Sequence, residues 1–394
     1  MSASTPVAAR ATRAERPRVL VVTTWLPTGA APSTGAFVAR DIEALSRVAD
    51  LRVVHLVRPD LADSAPRHLL GDVRVWEVPL SPRDPVSVAR ALPSLRAALA
   101  GAEVLHSMAV SSLVPLTLLR PDLPWVHTEH WSAFAGPARG ARGAALRAVA
   151  RAERPPDVVA AVSPDLASRL SMLSGRDVDV VPNIVDAPPP TPRRVPAPGD
   201  ALEVVGVGGL IPRKRPLLAV RAVAELARRG RPARLTWVGA GPLEAATRDL
   251  AARLGVPLTL TGALPPADVP AALAASDVFL VPSTRETFFL AAAEALAVGR
   301  PVVIGASSGP AAFVRPPTGA MVDSEDPSDF ADAVERVLAE TRGVGAADIA
   351  RAVAPFTPEA LASSYRDLYR RATRIHDAAA RPGAAGEGRG PCTC

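Results

Sequence analysis

The chain has 394 residues, 48% of them hydrophobic and 21% charged, with a formal net charge of +6. That length suits two domains and that composition a packed globular protein, not a disordered one. Aromatics make up only 4%, with no interleaving of Arg and aromatic residues, which argues against a nucleic-acid partner.

Cys392 and Cys394 are the only cysteines, so a disulfide framework is excluded as an organising principle and a reducing compartment is expected. The N-terminus MSASTPVAARATRAERPR has no apolar core of the secretory kind, and no apolar run is long enough to span a membrane. A cytoplasmic protein is expected. Residues 1–16 and 380–394 are rich in small residues, Pro and Arg, and are expected to be disordered.

RVLVVTTW (18–25) is the first strand candidate, followed by a Gly/Pro loop and the helical pattern FVARDIEALSRV. LRVVHLV (51–57), DVRVWEV (72–78), EVLHSM (103–108), PWVHTE (124–129), DVVAAVS (157–163) and DVDVVP (177–182) are further strands. Short apolar runs separated by helices predict a parallel sheet covered on both faces. Residues 185–200, VDAPPPTPRRVPAPGD, read as a stiff Pro-rich linker. The pattern restarts at LEVVGVGG (202–209) and continues through LTWVGAG, LTLTGA, VFLVPS and PVVIGA. The expected class is α/β, with an N-terminal domain over 17–184, a C-terminal domain over 201–356 and a C-terminal helix over 357–379. Two doubly wound Rossmann-like domains would face an interdomain cleft, because ligands of such folds sit at the carboxyl ends of the strands.

The loop GVGGLIPRKRP contains Lys214, the single lysine in a chain with 45 Lys plus Arg. Glycines 206, 208 and 209 would let a ligand approach the backbone, and Lys214 with its Arg neighbours would meet phosphate. A dinucleotide fingerprint would need Gly where Ile211 stands, and an acidic residue about twenty positions on, which is missing. That disfavours an NAD-dependent oxidoreductase. In RETFFLAAAEALAVGRPVVIGA, Glu286 precedes a helix and Glu294 lies about two turns into it. Phe288, Phe289 and Leu290 would offer free N–H groups to an anion. A carboxylate among AAAEALA needs partners if buried, and paired ribose hydroxyls would serve.

These elements resemble the retaining GT-B glycosyltransferases of family 4. The resemblance rests on VGGLIPRKRP, LTWVGAGPL, SDVFLVPS and the Glu-x7-Glu block ETFFLAAAEALAVGRPVV, and spans about 18–375. It implies transfer of a sugar from a nucleotide-sugar donor to a carbohydrate or lipid-linked acceptor, without a bound metal. It places donor-sugar contact on Glu286, ribose binding on Glu294 and diphosphate neutralisation on Lys214, with Gly208, Gly209 and Arg213 lining the donor site. Gly35, in STGAFVARDIEAL, stands at the acceptor-side loop. His130, in VHTEHWSAF, matches the position near the anomeric centre. Asn183 stands near the cleft, and His106 is expected to line the acceptor site.

The chain departs from the family pattern in three places. Gly209 stands where many relatives carry Arg, Phe289 where Gly is frequent, and Ala311 where an acid is usual. A catalytically degenerate partner or regulatory protein is the alternative these departures raise, and nucleotide-sugar epimerases share the architecture. The spacing of His127 and His130 does not fit a zinc protease helix. Asp177-Val178-Asp179 reads as strand entry and not as a metal-binding pair. Residues 136–156 carry five Arg against one Glu and would allow peripheral contact with anionic lipid.

Overall fold

A computed structural model describes residues 16–31, 34–62, 67–134, 140–151, 155–194, 196–197, 199–307 and 309–380. The expected disordered ends, apart from Arg16 and Ala380, lie outside these residues, as do both cysteines.

The first sheet has eight strands: β1 Arg18–Thr23, β2 Asp50–Val57, β3 Arg67–Leu70, β4 Val73–Pro79, β5 Val104–Met108, β6 Trp125–Glu129, β7 Val158–Ala161 and β8 Asp179–Val180. Its order is β3-β4-β2-β1-β5-β6-β7-β8. The helices around it are α1 Ala36–Leu45, α2 Pro85–Leu99, α3 Leu113–Leu119, α4 Gly140–Ala150 and α5 Pro164–Ser174. Strands β1, β5, β6 and β7 are buried almost throughout, which explains their unbroken apolar runs. Local capping starts the helices: Asp84 accepts from Val86 N at 3.0 Å before α2, and Ser163 accepts from Leu166 N before α5, each followed by Pro.

The second sheet has six strands: β9 Leu202–Val207, β10 Ala233–Val238, β11 Leu258–Gly262, β12 Val278–Val281, β13 Val302–Gly305 and β14 Gly319–Val322. Its order, β11-β10-β9-β12-β13-β14, is the 3-2-1-4-5-6 arrangement of a dinucleotide-binding fold. Helices α6 Pro216–Arg228, α7 Glu244–Leu254, α8 Val269–Ala274, α9 Leu290–Ala297, α10 Pro327–Glu340 and α11 Ala346–Ala350 follow, and α12 Pro358–Ala380 ends the described chain.

Three strand readings need correction. The edge strand β3 pairs antiparallel with β4, so the first sheet is not wholly parallel. β14, in GAMV, was not anticipated, because four residues with two Gly/Ala carry little periodic signal. The 177–182 segment forms only the two-residue β8, so Asp177 and Val178 precede the strand. Asp179 is paired with Arg371 of α12.

No regular element occurs between β8 and β9 among the described residues. There the chain crosses to the second domain, and it crosses back just before α12. The two crossings are joined, since Val185 N donates to Phe356 O at 2.9 Å. Helix α12 then packs on the first domain, burying Leu361, Tyr365, Leu368, Tyr369 and Ala372 with α1. Each large apolar side chain so buried contributes roughly 1.5–3 kcal/mol, which anchors the helix.

Candidate active site in the interdomain cleft

The strand order of the second domain reverses between β9 and β12. The loops after these two strands meet there: Thr284 N donates to Arg213 O at 3.0 Å. The glycine loop is pinned from behind. Gly208 N donates to Val238 O at 2.9 Å, Leu210 N to Ala240 O at 3.0 Å, and Trp237 Nε1 to Gly208 O at 2.8 Å. The neighbouring VGAGP loop fits only because Gly239 and Gly241 lack side chains; a Cβ on them would lie 2.2 Å from Gly208 O and 2.6 Å from Leu210 O.

The glycines do different things. Gly208, at φ +143, leaves room for Lys214, whose Cε would sit 3.0 Å from an added Cβ. Gly206 does not serve ligand approach as expected; it accommodates the Trp237 ring, 2.5 Å from where its Cβ would be. A Cβ on Gly209 would make only ordinary contacts, the nearest being Ala240 O at 3.6 Å.

Lys214 is buried and points at Glu286. Its Nζ lies 2.8 Å from Glu286 Oε1, and Arg213 Nη1 lies 2.9 Å from the same oxygen. Burial pushes the Lys214 ammonium down from its ordinary value, and Glu286 opposes that shift. Arg213 also donates to Arg285 O at 2.9 Å, so it is held in the cluster, whereas Arg215 turns away to Glu325. Ser307 fixes the Glu286 backbone in both directions, accepting from its N at 2.8 Å and donating to its O at 3.0 Å.

Phe289 is the N-cap of α9 at φ +71, a left-handed conformation that favours glycine. The ring is buried against Phe279 at 5.7 Å, with the Lys214 ammonium 4.0 Å above its centroid. Phe288 packs on Phe313 and Phe356 at the return crossing. Leu290 opens α9, and its side chain is half-buried. Ala311 lies in the short helical turn Gly309–Ala312, and its carbonyl accepts from Arg315 Nε at 2.9 Å.

The first domain brings His130 to this place. Thr287 Oγ1 donates to His130 O at 3.3 Å, joining the loop after β6 to the Glu286 loop. The imidazole is 5% exposed, and neither ring nitrogen has a hydrogen-bond partner among the described residues. Burial drives its pKa down to about 4, against the Glu129 carboxylate, which raises it. Asn183 is near enough to raise it further, but makes no hydrogen bond of good geometry with the ring, and its Oδ1 is also buried with no hydrogen-bond partner among the described residues. Phe37 and Trp25 flank the imidazole at 5.0 and 6.2 Å. Gly35 caps α1 at φ +70, packed so closely on Trp25 that a Cβ would lie 2.4 Å from that residue's carbonyl carbon.

Glu294 is buried in α9, but its partner is a side chain of the other domain: Arg40 Nη1 of α1 lies 2.8 Å from Oε1. Burial raises the carboxyl, and Arg40 holds it down. Sequence reasoning missed Arg40, since nothing in FVARDIEAL marks it among the many arginines.

His106 is not at the cleft surface. It is fully buried, with Nδ1 2.9 Å from Tyr369 Oη and Nε2 2.9 Å from Thr128 Oγ1, and burial lowers its pKa to about 3. It fastens α12 and does not line an acceptor site. Ser107 Oγ lies 2.9 Å from His127 Nδ1, with Glu129 Oε2 3.7 Å from Nε2. All three are fully buried, so this serine has no route to a substrate. Among the described residues no cluster could hold a metal ion, and no helix is long and apolar enough to cross a membrane. Of the basic segment 136–156, residues 136–139 and 152–154 lie outside the described residues; Arg147 and Arg151 are exposed.

Comparison with known proteins agrees with this geometry. Residues 38–188 match glycosyltransferase family 4, and residues 201–340 match glycosyl transferases group 1. The chain is 36% identical over 192 residues to a D-inositol 3-phosphate glycosyltransferase of Corynebacterium efficiens, covering 46% of this chain and 45% of that protein. It is 34% identical over 284 residues to the Nocardia farcinica protein of the same name, covering 64% of this chain and 62% of that one. The chain thus spans about half to under two thirds of the length of these relatives. Sucrose-phosphate synthase from Thermosynechococcus elongatus superposes with a TM-score of 0.73 at 22% identity, covering 90% of this chain and 99% of that one. The chain thus consists of a glycosyltransferase family 4 domain carrying His130 and a glycosyl transferases group 1 domain carrying Lys214, Glu286 and Glu294, on a two-domain GT-B fold.

Proposed function

We propose that the protein transfers a sugar from a nucleotide-sugar donor to an acceptor hydroxyl with retention at the anomeric carbon. The observation that carries this is the Lys214–Glu286–Arg213 cluster at the switch point of the second domain, joined through Thr287 to the backbone carbonyl of His130, whose ring nitrogens have no hydrogen-bond partner among the described residues. The second domain holds the nucleotide, with Glu294 on the ribose and Glu286 on the sugar. Lys214, Arg213 and the N–H groups of 288–290 stabilise charge developing on the leaving diphosphate, so the reaction needs no resident metal. Gly209 gives the diphosphate access to the backbone, while Gly208 makes room for Lys214.

The bond from the anomeric carbon to the diphosphate oxygen breaks, and a bond to the acceptor oxygen forms on the same face. The acceptor proton passes to the departing diphosphate. His130 is neutral at pH 7 and positions the reacting centre with Asn183. Gly35 shapes the acceptor side. Closure about the two joined crossings excludes water and aligns the substrates. The acceptor is a carbohydrate or a lipid-linked glycan of the cell envelope, with the protein at the inner membrane face through the exposed Arg147 and Arg151.

The test is calorimetry with UDP, GDP and ADP, followed by turnover with the sugar nucleotides of whichever base binds. One nucleoside diphosphate should bind the parent and weaken on Lys214→Ala and Glu294→Ala, and product analysis should show a retained anomer. No diphosphate binding would leave a degenerate partner protein as the better account, and an inverted product would overturn the retention.

A further inference from the structure

Arg40 lies about one turn into α1, whose Val38, Ala39, Ile42 and Leu45 are buried in the first domain. Its guanidinium points the other way, across the cleft, and its one hydrogen bond among the described residues runs from Nη1 to Glu294 Oε1 at 2.8 Å. Among the described residues Glu294 has no other donor. Ala292, Ala293 and Ala295 beside it on α9 carry no polar side-chain atom, and Oε2 takes no hydrogen bond. The Glu294 side chain is only 10% exposed. One oxygen of this carboxylate is held by the first domain, and the other is open to a ligand of the second.

The surrounding charges leave Arg40 as the stabilising cation. Burial and Asp186, in the crossing between the domains, both raise the Glu294 carboxyl, and Arg40 lowers it. Lys214 and Arg213 are held on Glu286. Arg300, just after α9, donates to the carbonyls of Thr191, Ala274 and Val298. Arg351 and Asp348 of α11, on the segment packed against α9, pair with each other at 2.9 Å in solvent. The other elements packed on α9, α8 and β13, carry no charged residue. Asp41, next to Arg40, is buried near Tyr365 of α12.

An ionised carboxylate accepts from two hydroxyls, whereas protonation turns one oxygen into a donor. We propose that Arg40 is a positioning residue for the donor: reaching across from the first domain, it fixes one oxygen of Glu294 and leaves the other to the ribose hydroxyls, so the ribose site is complete only when the two domains meet. This rests on the assignment of Glu294 to the ribose and deepens it. The same contact keeps Glu294 charged, so donor binding and domain closure favour each other.

The experiment is calorimetry on the full chain with UDP, GDP and ADP, each against its 2′-deoxy counterpart. The ratio of the two affinities reads the ribose contact, since base and diphosphate cancel. The parent should prefer the ribose form about tenfold or more at both about pH 6.5 and about pH 9, as expected for a hydrogen bond to a charged group. Arg40→Gln should lose that preference at about pH 6.5, where the buried carboxyl holds its proton, and regain it at about pH 9, where the carboxyl is ionised. Arg40→Met, a second neutral variant, should behave alike, and melting curves establish that each variant is folded. Arg40→Lys should keep the preference at both values, because the ammonium supplies the same charge. Glu294→Gln should lose it at both, and adding Arg40→Gln should change nothing further. A parent-like ratio in Arg40→Gln at the lower pH, or a preference lost equally at both, overturns the proposal, since loss of a merely structural contact would not be repaired by pH. A parent that binds none of the three diphosphates defeats the donor reading itself. A parent that binds one of them without preferring ribose removes Glu294 from the ribose, and this proposal with it, while the Lys214 site stands.

Discussion

Arg40 on α1 and Glu294 on α9 form an ion pair of 2.8 Å across the cleft, linking the two domains through the carboxylate assigned to the ribose. Glu294 is almost wholly buried, so removing Arg40 strands a carboxyl whose pKa burial already raises. Arg40→Ala should cost about 1–3 kcal/mol of stability, measured by denaturant titration. It should also widen the ligand-free molecule in small-angle scattering. An unchanged radius with unchanged stability would show that the pair does not hold the domains together.

Lys214 and Arg213 share one oxygen of Glu286, so the three should act as a unit. Lys214→Ala should lower kcat by roughly 10²–10³, the range for losing one charge-stabilising donor. Lys214→Arg should not restore it, because the side chain runs within van der Waals contact of Gly208 and over the Phe289 ring, where a planar fork has no room. Full rescue by Arg in a transfer assay would refute that steric reading.

Gly209 is open where Gly208 is closed. A Cβ there would meet nothing nearer than 3.6 Å, and its backbone is not left-handed. Gly209→Arg should therefore fold normally and strengthen nucleoside diphosphate binding by roughly 5–10-fold through an added guanidinium. Weaker binding in calorimetry would show that the diphosphate uses that backbone space itself.

His106 titrates near 6.5 when unfolded and near 3 when folded. Between these values the unfolded chain binds the extra proton, so this histidine's contribution is full above about 6.5 and is lost as pH falls. The parent should lose about 1.4 kcal/mol per pH unit more than His106→Gln through that window. Parallel stability–pH curves would contradict a neutral buried imidazole.

The buried Ser107–His127–Glu129 arrangement gives a control. Ser107→Ala should leave transfer unchanged while costing about 1 kcal/mol, since Ser107 also accepts from Trp125 Nε1 at 2.8 Å. Loss of turnover without loss of stability would give the serine a chemical role.

The sequence by itself determined the two α/β domains, the linker between them and the positions of Lys214, Glu286, Glu294 and His130. Those features are local: apolar runs, proline density and short motifs each lie within one stretch of chain. Tertiary structure decided the partners. That Glu294 meets Arg40, 254 residues away, and His106 meets Tyr369, 263 away, depends on how the domains close and where α12 returns. The same holds for Gly206 and Gly209, alike in sequence, of which one makes room for Trp237 and the other would take a Cβ in ordinary contact. Composition hid Arg40 among the chain's many arginines, and only burial and distance set it apart. Spacing along a chain fixes periodicity, but contacts between distant segments follow from the closure of the whole chain, which no local pattern encodes.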